Sequence, residues 1–159
     1  SGLPMTAVDH GFMSEALVLA REAARMGEVP VGAVVVFEGE IIGRGYNRPV
    51  STRDPTAHAE IQALRQASEK MRNYRLPGAE IYATLEPCTM CAGAIMHARL
   101  SRVVYGARDP KTGVCGSTLD LFSVEALNHH ATVVGGVRET ESVELLRRFF
   151  AERRRSRSA

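Results

Sequence analysis

The chain has 159 residues, of which 45% are hydrophobic and 24% charged, and its formal net charge is +2. This reads as one domain, residues 1–159, long enough to bury a full core; residues 1–5 read as a cloning remnant or frayed leader. No apolar run approaches the ~18 residues of a membrane span and the start lacks a signal-peptide pattern, which excludes membrane and secreted classes and leaves a cytoplasmic protein as the expectation.

In chain order, apolar residues from Phe12 to Met26 recur at helical spacing, and Gly27 ends the run. Val31 to Phe37, the turn Glu38-Gly39 and Glu40 to Gly45 predict a β-hairpin. Asp54-Pro55 predicts a helix start, with Asp54 as cap and Pro55 in the first turn, and the helix buries Ala57, Ile61, Leu64 and Ala67. Ile81 to Leu85 is predicted as a strand, Cys88 to Arg99 as a helix and Arg102 to Ala107 as a strand, which together make a βαβ unit. Asp109 to Ser117 is predicted as a loop, Leu119 to Leu127 as weakly helical, Thr132 to Val137 as a fifth strand and Ser142 to Arg155 as a closing helix. The sum is a three-layer α/β/α domain with a sheet of about five strands. Residues 153–159 carry four arginines and no acid. This basic tail suits either phosphate contact or a solvated helix end whose cations complement the dipole.

Three cysteines, two at CxxC spacing, favour metal or redox chemistry over structural disulfides. Cys88 and Cys91 lie three apart, on one face of a first helical turn whose dipole favours thiolates. His58 and Glu60 lie two apart and can share a site only where a helix begins, so two helix N-termini are expected to converge on one ion. An imidazole and two thiolates suit zinc and leave a fourth tetrahedral corner for water, whose pKa falls there to roughly 7. Glu60 is placed to move that water's proton. Three other readings compete. The CxxC could be a thioredoxin-like redox pair, in which the paired His-x-Glu has no part. A closed structural zinc site would take Cys115, His97, His129 or His130 as fourth ligand. Alternatively, His58 is an ordinary helix cap and Glu60 a solvated acid.

The pattern H-x-E followed by P-C-x-x-C is that of zinc-dependent nucleobase deaminases. The longer stretches Glu28 to Ala33, Asn47-Arg48-Pro49, Asp54 to Ile61, Thr84 to Ala94, Gly106 to Gly113, Asn128-His129 and Phe149-Phe150 are more specific. Through them the chain resembles the bacterial tRNA-specific adenosine deaminase family, within the cytidine and deoxycytidylate deaminase superfamily. That resemblance implies one Zn2+ per chain on His58, Cys88 and Cys91, with Glu60 as catalytic proton shuttle. It further implies that Asn47 and the Ala59 backbone bind the flipped purine nucleoside, and that Asp109 and Phe150 line the anticodon-loop surface. Spacing alone leaves Asn47 as a loop cap, Asp109 as a turn residue and Phe150 as a core residue. The implied activity is hydrolytic deamination of adenosine to inosine at the wobble position of a tRNA, with tRNA-Arg as the expected substrate and a homodimer as the active form. The alternative is a deaminase of a free nucleobase or nucleotide of cytosine, guanine or dCMP type on the same fold.

Overall fold

A computed structural model describes residues 6–127 and 129–158. The leader expected at residues 1–5, together with Asn128 and Ala159, lies outside the described residues. The first helix, α1 (Ala7–Arg25), begins five residues before the predicted Phe12 because Thr6 caps it: the Thr6 hydroxyl accepts from the Asp9 N–H at 3.1 Å, and the Asp9 carboxylate accepts from the Thr6 N–H at 3.2 Å. Strands β1 (Gly32–Phe37) and β2 (Glu40–Tyr46) form the expected hairpin. A short helix, α2 (Pro49–Thr52), and the longer α3 (Ala59–Met71) follow. Next come β3 (Glu80–Leu85), α4 (Thr89–Ala98), β4 (Arg102–Ala107), β5 (Thr132–Val134) and α5 (Glu139–Ser158).

The sheet is mixed, in the order β2-β1-β3-β4-β5. β1 runs antiparallel to β2 and β3, and β3, β4 and β5 run parallel. Alternate residues of β1 serve opposite faces: Ala33 and Val35 join Ala63, Leu64, Ile81 and Ile95, while Val34 and Val36 join Met13, Leu17, Tyr82 and Val104. Two apolar layers therefore sandwich the sheet, and both faces being buried is why its central strands read as unbroken hydrophobic runs. On β2 the helix backbone itself is the neighbour. A Cβ at Gly43 would fall 2.2 Å from the Ala63 carbonyl oxygen, and one at Gly45 would fall 2.4 Å from that of Ala59. Glycine there lets α3 lie against the strand, and so fixes where α3 begins.

Further boundaries differ from expectation. The helix predicted from Asp54 starts at Ala59, because Asp54 turns inward on Thr56, accepting from its N–H at 2.9 Å and its hydroxyl at 2.7 Å. The stretch Leu119 to Leu127 contains only a 3-10 turn, Leu121–Ser123, which places Phe122 in the core. One inward residue does not make a helical stripe. β5 ends at Val134, since the Tyr105 ring occupies the space a Cβ would need at Gly135 and Gly136 turns the chain at φ +86°. α5 runs three residues beyond each end of the predicted Ser142–Arg155. Among the described residues no helix is long and apolar enough to cross a membrane.

Candidate active site

The carboxyl end of β3 leads through Glu86-Pro87 into Cys88, the N-cap of α4, while His58 is the N-cap of α3. Both cap residues are extended, with φ −72°, ψ 155° at His58 and φ −84°, ψ 179° at Cys88. Each side chain is thus turned back past its helix start, as two convergent N-termini require. His58 Nδ1 stands 3.6 Å from Cys88 Sγ and 3.6 Å from Cys91 Sγ, and the three donor atoms all lie within 4.8 Å of one another.

That spacing can be tested against an ion. Zinc bonds of about 2.3 Å to sulfur and about 2.0–2.1 Å to nitrogen, at the tetrahedral angle, place the two donors about 3.6 Å apart. The residues fit. Their soft sulfur and imidazole donors are poorly matched to magnesium or calcium, which take oxygen. The sulfurs also lean on each other: a hydrogen bond from Cys91, with His58 adding to it, holds the Cys88 thiol down to about 4 against the cost of burial. The same bond, and burial, push Cys91 up. A second negative sulfur in so buried a place needs a cation beside it.

Glu60 sits in the first turn of α3 and is buried. Burial pushes its carboxyl up to about 7, opposed by the helix's own N–H and by the imidazole of His58. A carboxyl poised there accepts and returns a proton at neutral pH.

Two of the candidates for a fourth ligand are engaged elsewhere. His129 Nε2 contacts the Leu100 carbonyl and His130 Nε2 the Val124 carbonyl. Cys115 is buried, and its thiol is pushed up to about 12 by burial first and then by the charge of Glu86. Among the described residues the donor group is His58, Cys88 and Cys91, without His97 or these three. Cys115→Ser is accordingly expected to leave metal stoichiometry unchanged, as measured by metal analysis of the purified variant. Loss of metal would instead mark Cys115 as a fourth ligand.

A cleft of about 610 Å³ is lined by Asn47, Val50, Lys111, Phe149, Phe150 and three arginines of α5, at 153, 154 and 157. It brings Asn47 and Phe150 together, but neither the donor group nor Glu60 lines it. Phe150 is 44% exposed and edge-on to Phe149 at 5.4 Å, which disposes of a core role. Ala59 is the first residue of α3 and fully buried. Asp109 is a turn residue outside the cleft lining: its carboxylate accepts from the N–H groups of Lys111 and Thr112 at 3.0 and 3.1 Å and from the Thr112 hydroxyl at 2.8 Å. In the basic tail, Arg153 lies over the Phe149 ring at 4.9 Å and donates to the Gly27 carbonyl, tying α5 to the turn after α1.

Two site-side residues carried no role in the sequence reading. Glu28 is buried and accepts from the N–H groups of Val50 at 3.2 Å and Ser51 at 2.6 Å, which anchors the first turn of α2 just after Asn47. Burial works to raise its pKa, but the bonds from Ser51 and Val50 outweigh it and hold the carboxyl below its usual range. Glu86 is the second buried carboxylate. The available signal was an acid set in an apolar run, Glu28-Val-Pro-Val and Leu-Glu86-Pro-Cys, since a buried carboxylate must be met by donors.

The MafB19-like deaminase family matches residues 8–154. The chain is 51% identical over 143 residues to a tRNA-specific adenosine deaminase of Agrobacterium fabrum, covering 90% of this chain and 94% of that protein. It is also similar to a structure solved in studies of A-to-I editing by tRNA:A34 deaminases at the wobble position of transfer RNA. That match has a TM-score of 0.83 and 50% identity, and covers 86% of this chain and 99% of the other. A guanine deaminase from Nitrosomonas europaea matches at a TM-score of 0.78 and 28% identity, over 93% of this chain and 87% of the other.

Proposed function

This chain belongs to the MafB19-like deaminase family, and from that premise we propose that it hydrolytically deaminates adenosine to inosine at the anticodon wobble position of a tRNA, tRNA-Arg being the expected substrate. The observation that carries the chemistry is His58 Nδ1 at 3.6 Å from both cysteine sulfurs, with the buried Glu60 two residues on. The identity of 51% to a tRNA-specific adenosine deaminase, against 28% to a guanine deaminase, supports the choice of substrate.

His58, Cys88 and Cys91 would hold one zinc ion per chain, which supplies Lewis-acid activation of water. Glu60 carries the protons. It takes one from the attacking water and places it on a ring nitrogen of adenine, making C6 electrophilic. The oxygen left behind bonds to C6. Glu60 then takes the second proton from that added hydroxyl and delivers it to the exocyclic nitrogen, so that the C6–N bond breaks, ammonia leaves and the C6 carbonyl of inosine remains. Its burial keeps bulk solvent from intercepting those transfers. Asn47 and the Ala59 backbone bind the flipped nucleoside. Phe150, exposed on a cleft wall rich in arginine, offers a stacking face for a base of the anticodon loop, with cations at hand for phosphate; Asp109 shapes the adjoining loop surface. Unpaired bases in an anticodon loop are extruded at low cost, which suits a recessed reaction centre. The working form is one domain acting as a homodimer in the cytoplasm.

The test is to present the zinc-loaded protein with an anticodon-stem hairpin of tRNA-Arg and, separately, with free adenosine, cytidine and guanine. Inosine in the hairpin without turnover of the free compounds is the expected result. Turnover of guanine or a free nucleoside, with the hairpin untouched, would replace this reading with that of a free-nucleobase deaminase.

A further inference from the structure

Glu86 belongs to neither the donor group nor the cleft wall, yet it joins the two. It is 2% exposed and lies between the end of β3 and Pro87-Cys88. Its Oε1 accepts from the Asp109 N–H at 3.0 Å and from the Ser117 hydroxyl, and its Oε2 accepts from the N–H groups of Cys115 at 2.9 Å and Ser117 at 3.0 Å. All four donors belong to one loop, residues 109–117. Two backbone bonds close the same clasp: Glu86 N–H donates to the Ala107 carbonyl at 2.8 Å, and Val114 N–H donates to that of Pro87 at 3.0 Å. Packing adds to it, since a Cβ at Gly113 would fall 2.4 Å from Glu86 Cδ. The middle of this loop carries Lys111 into the cleft wall that Asn47 and Phe150 share.

We propose that Glu86 is a positioning residue for the RNA: it locks the 109–117 loop in register with the segment bearing Cys88, and so fixes the distance between the RNA-facing wall and the reaction centre. This rests on the reading of an anticodon loop as substrate. Both carboxylate oxygens accept twice, so a side chain with a single acceptor oxygen cannot reproduce the clasp. Glutamine in its place turns an NH2 group toward two donors and releases one end of the loop.

The experiment uses the zinc-loaded full chain and the tRNA-Arg hairpin, comparing wild type with Glu86→Gln. Metal content should stay at the wild-type level, and the amides of Asp109, Cys115 and Ser117 should exchange at least about tenfold faster. KM for the hairpin should rise about tenfold while kcat stays within about threefold. Ser117→Ala, which removes one donor and leaves the carboxylate in place, should shift KM the same way by about threefold, and it decides the matter if Glu86→Gln does not fold. Loss of metal, or a fall in kcat at constant KM, would assign Glu86 to the reaction centre and overturn the proposal. So would an unchanged KM in a variant whose loop amides exchange faster. A wild-type protein inactive on the hairpin refutes the substrate reading itself, and the proposal falls with it.

Discussion

Glu60→Ala is expected to lower hairpin deamination by about a thousandfold or more, while the protein keeps its metal and its fold. The size follows from the role: one carboxyl serves both proton transfers, and positioned acid-base catalysis is worth about 10²–10⁴-fold. Metal retention follows because the donor group is His58, Cys88 and Cys91. The change in stability should be small or favourable, since the substitution removes a carboxyl that burial, against the helix N–H and the imidazole of His58, pushes up to about 7. Ammonia release, metal analysis and a thermal melt on one preparation check the three parts. Unchanged turnover would remove Glu60 from the chemistry, and loss of metal would mean that its carboxylate helps to hold the ion.

The convergence of two helix starts was legible because spacing is a geometric statement. A pair at i, i+2 such as His58 and Glu60 can share a site only at a helix entrance, and the structure places His58 as the cap and Glu60 in the first turn. The hairpin and the βαβ unit were legible for a similar reason, as Val31 to Phe37 and Ile81 to Leu85 are too short and too apolar for anything but buried strands. The start of α3 was not. Asp54-Pro55 has the local chemistry of a cap, but the position of the helix is set by its packing against Gly43 and Gly45, which tertiary structure alone provides. The roles of Glu28 and Glu86 were hidden because a sequence shows an acid without its donors. Those donors come from positions 22 to 31 residues away, on loops whose course depends on the whole sheet.

Asp9→Ala is expected to cost about 3 kcal/mol of folding stability. Asp9 joins three elements: it caps α1, its carboxylate takes Arg102 of β4 at 2.8 and 2.7 Å, and it accepts from the Tyr82 hydroxyl of β3 at 2.9 Å. The side chains of Asp9 and Arg102 are only 3% and 12% exposed. Removing the acid therefore leaves a buried guanidinium without its main partner, while the Tyr82 hydroxyl keeps only Glu80 at 3.3 Å as acceptor, and breaking such a pair costs about 3–5 kcal/mol. The low end applies because Glu80 remains 3.8 Å from Arg102. The pair also predicts an acid limb. Hydrogen bonds from Arg102 first, then from Tyr82 and Thr6, hold the Asp9 carboxyl down to about 2 against the opposing effect of burial, whereas in the unfolded chain it titrates near 3.9. Between those values the unfolded chain binds a proton that the folded protein refuses. The contribution, about 2 kcal/mol, is therefore whole above about pH 4 and lost as pH falls toward 2. Denaturant midpoints measured from pH 6 down to pH 2 should fall in the wild type, with a visibly shallower slope in Asp9→Asn. Parallel slopes would show that other carboxyls carry the acid sensitivity and that the Asp9–Arg102 pair contributes little to it.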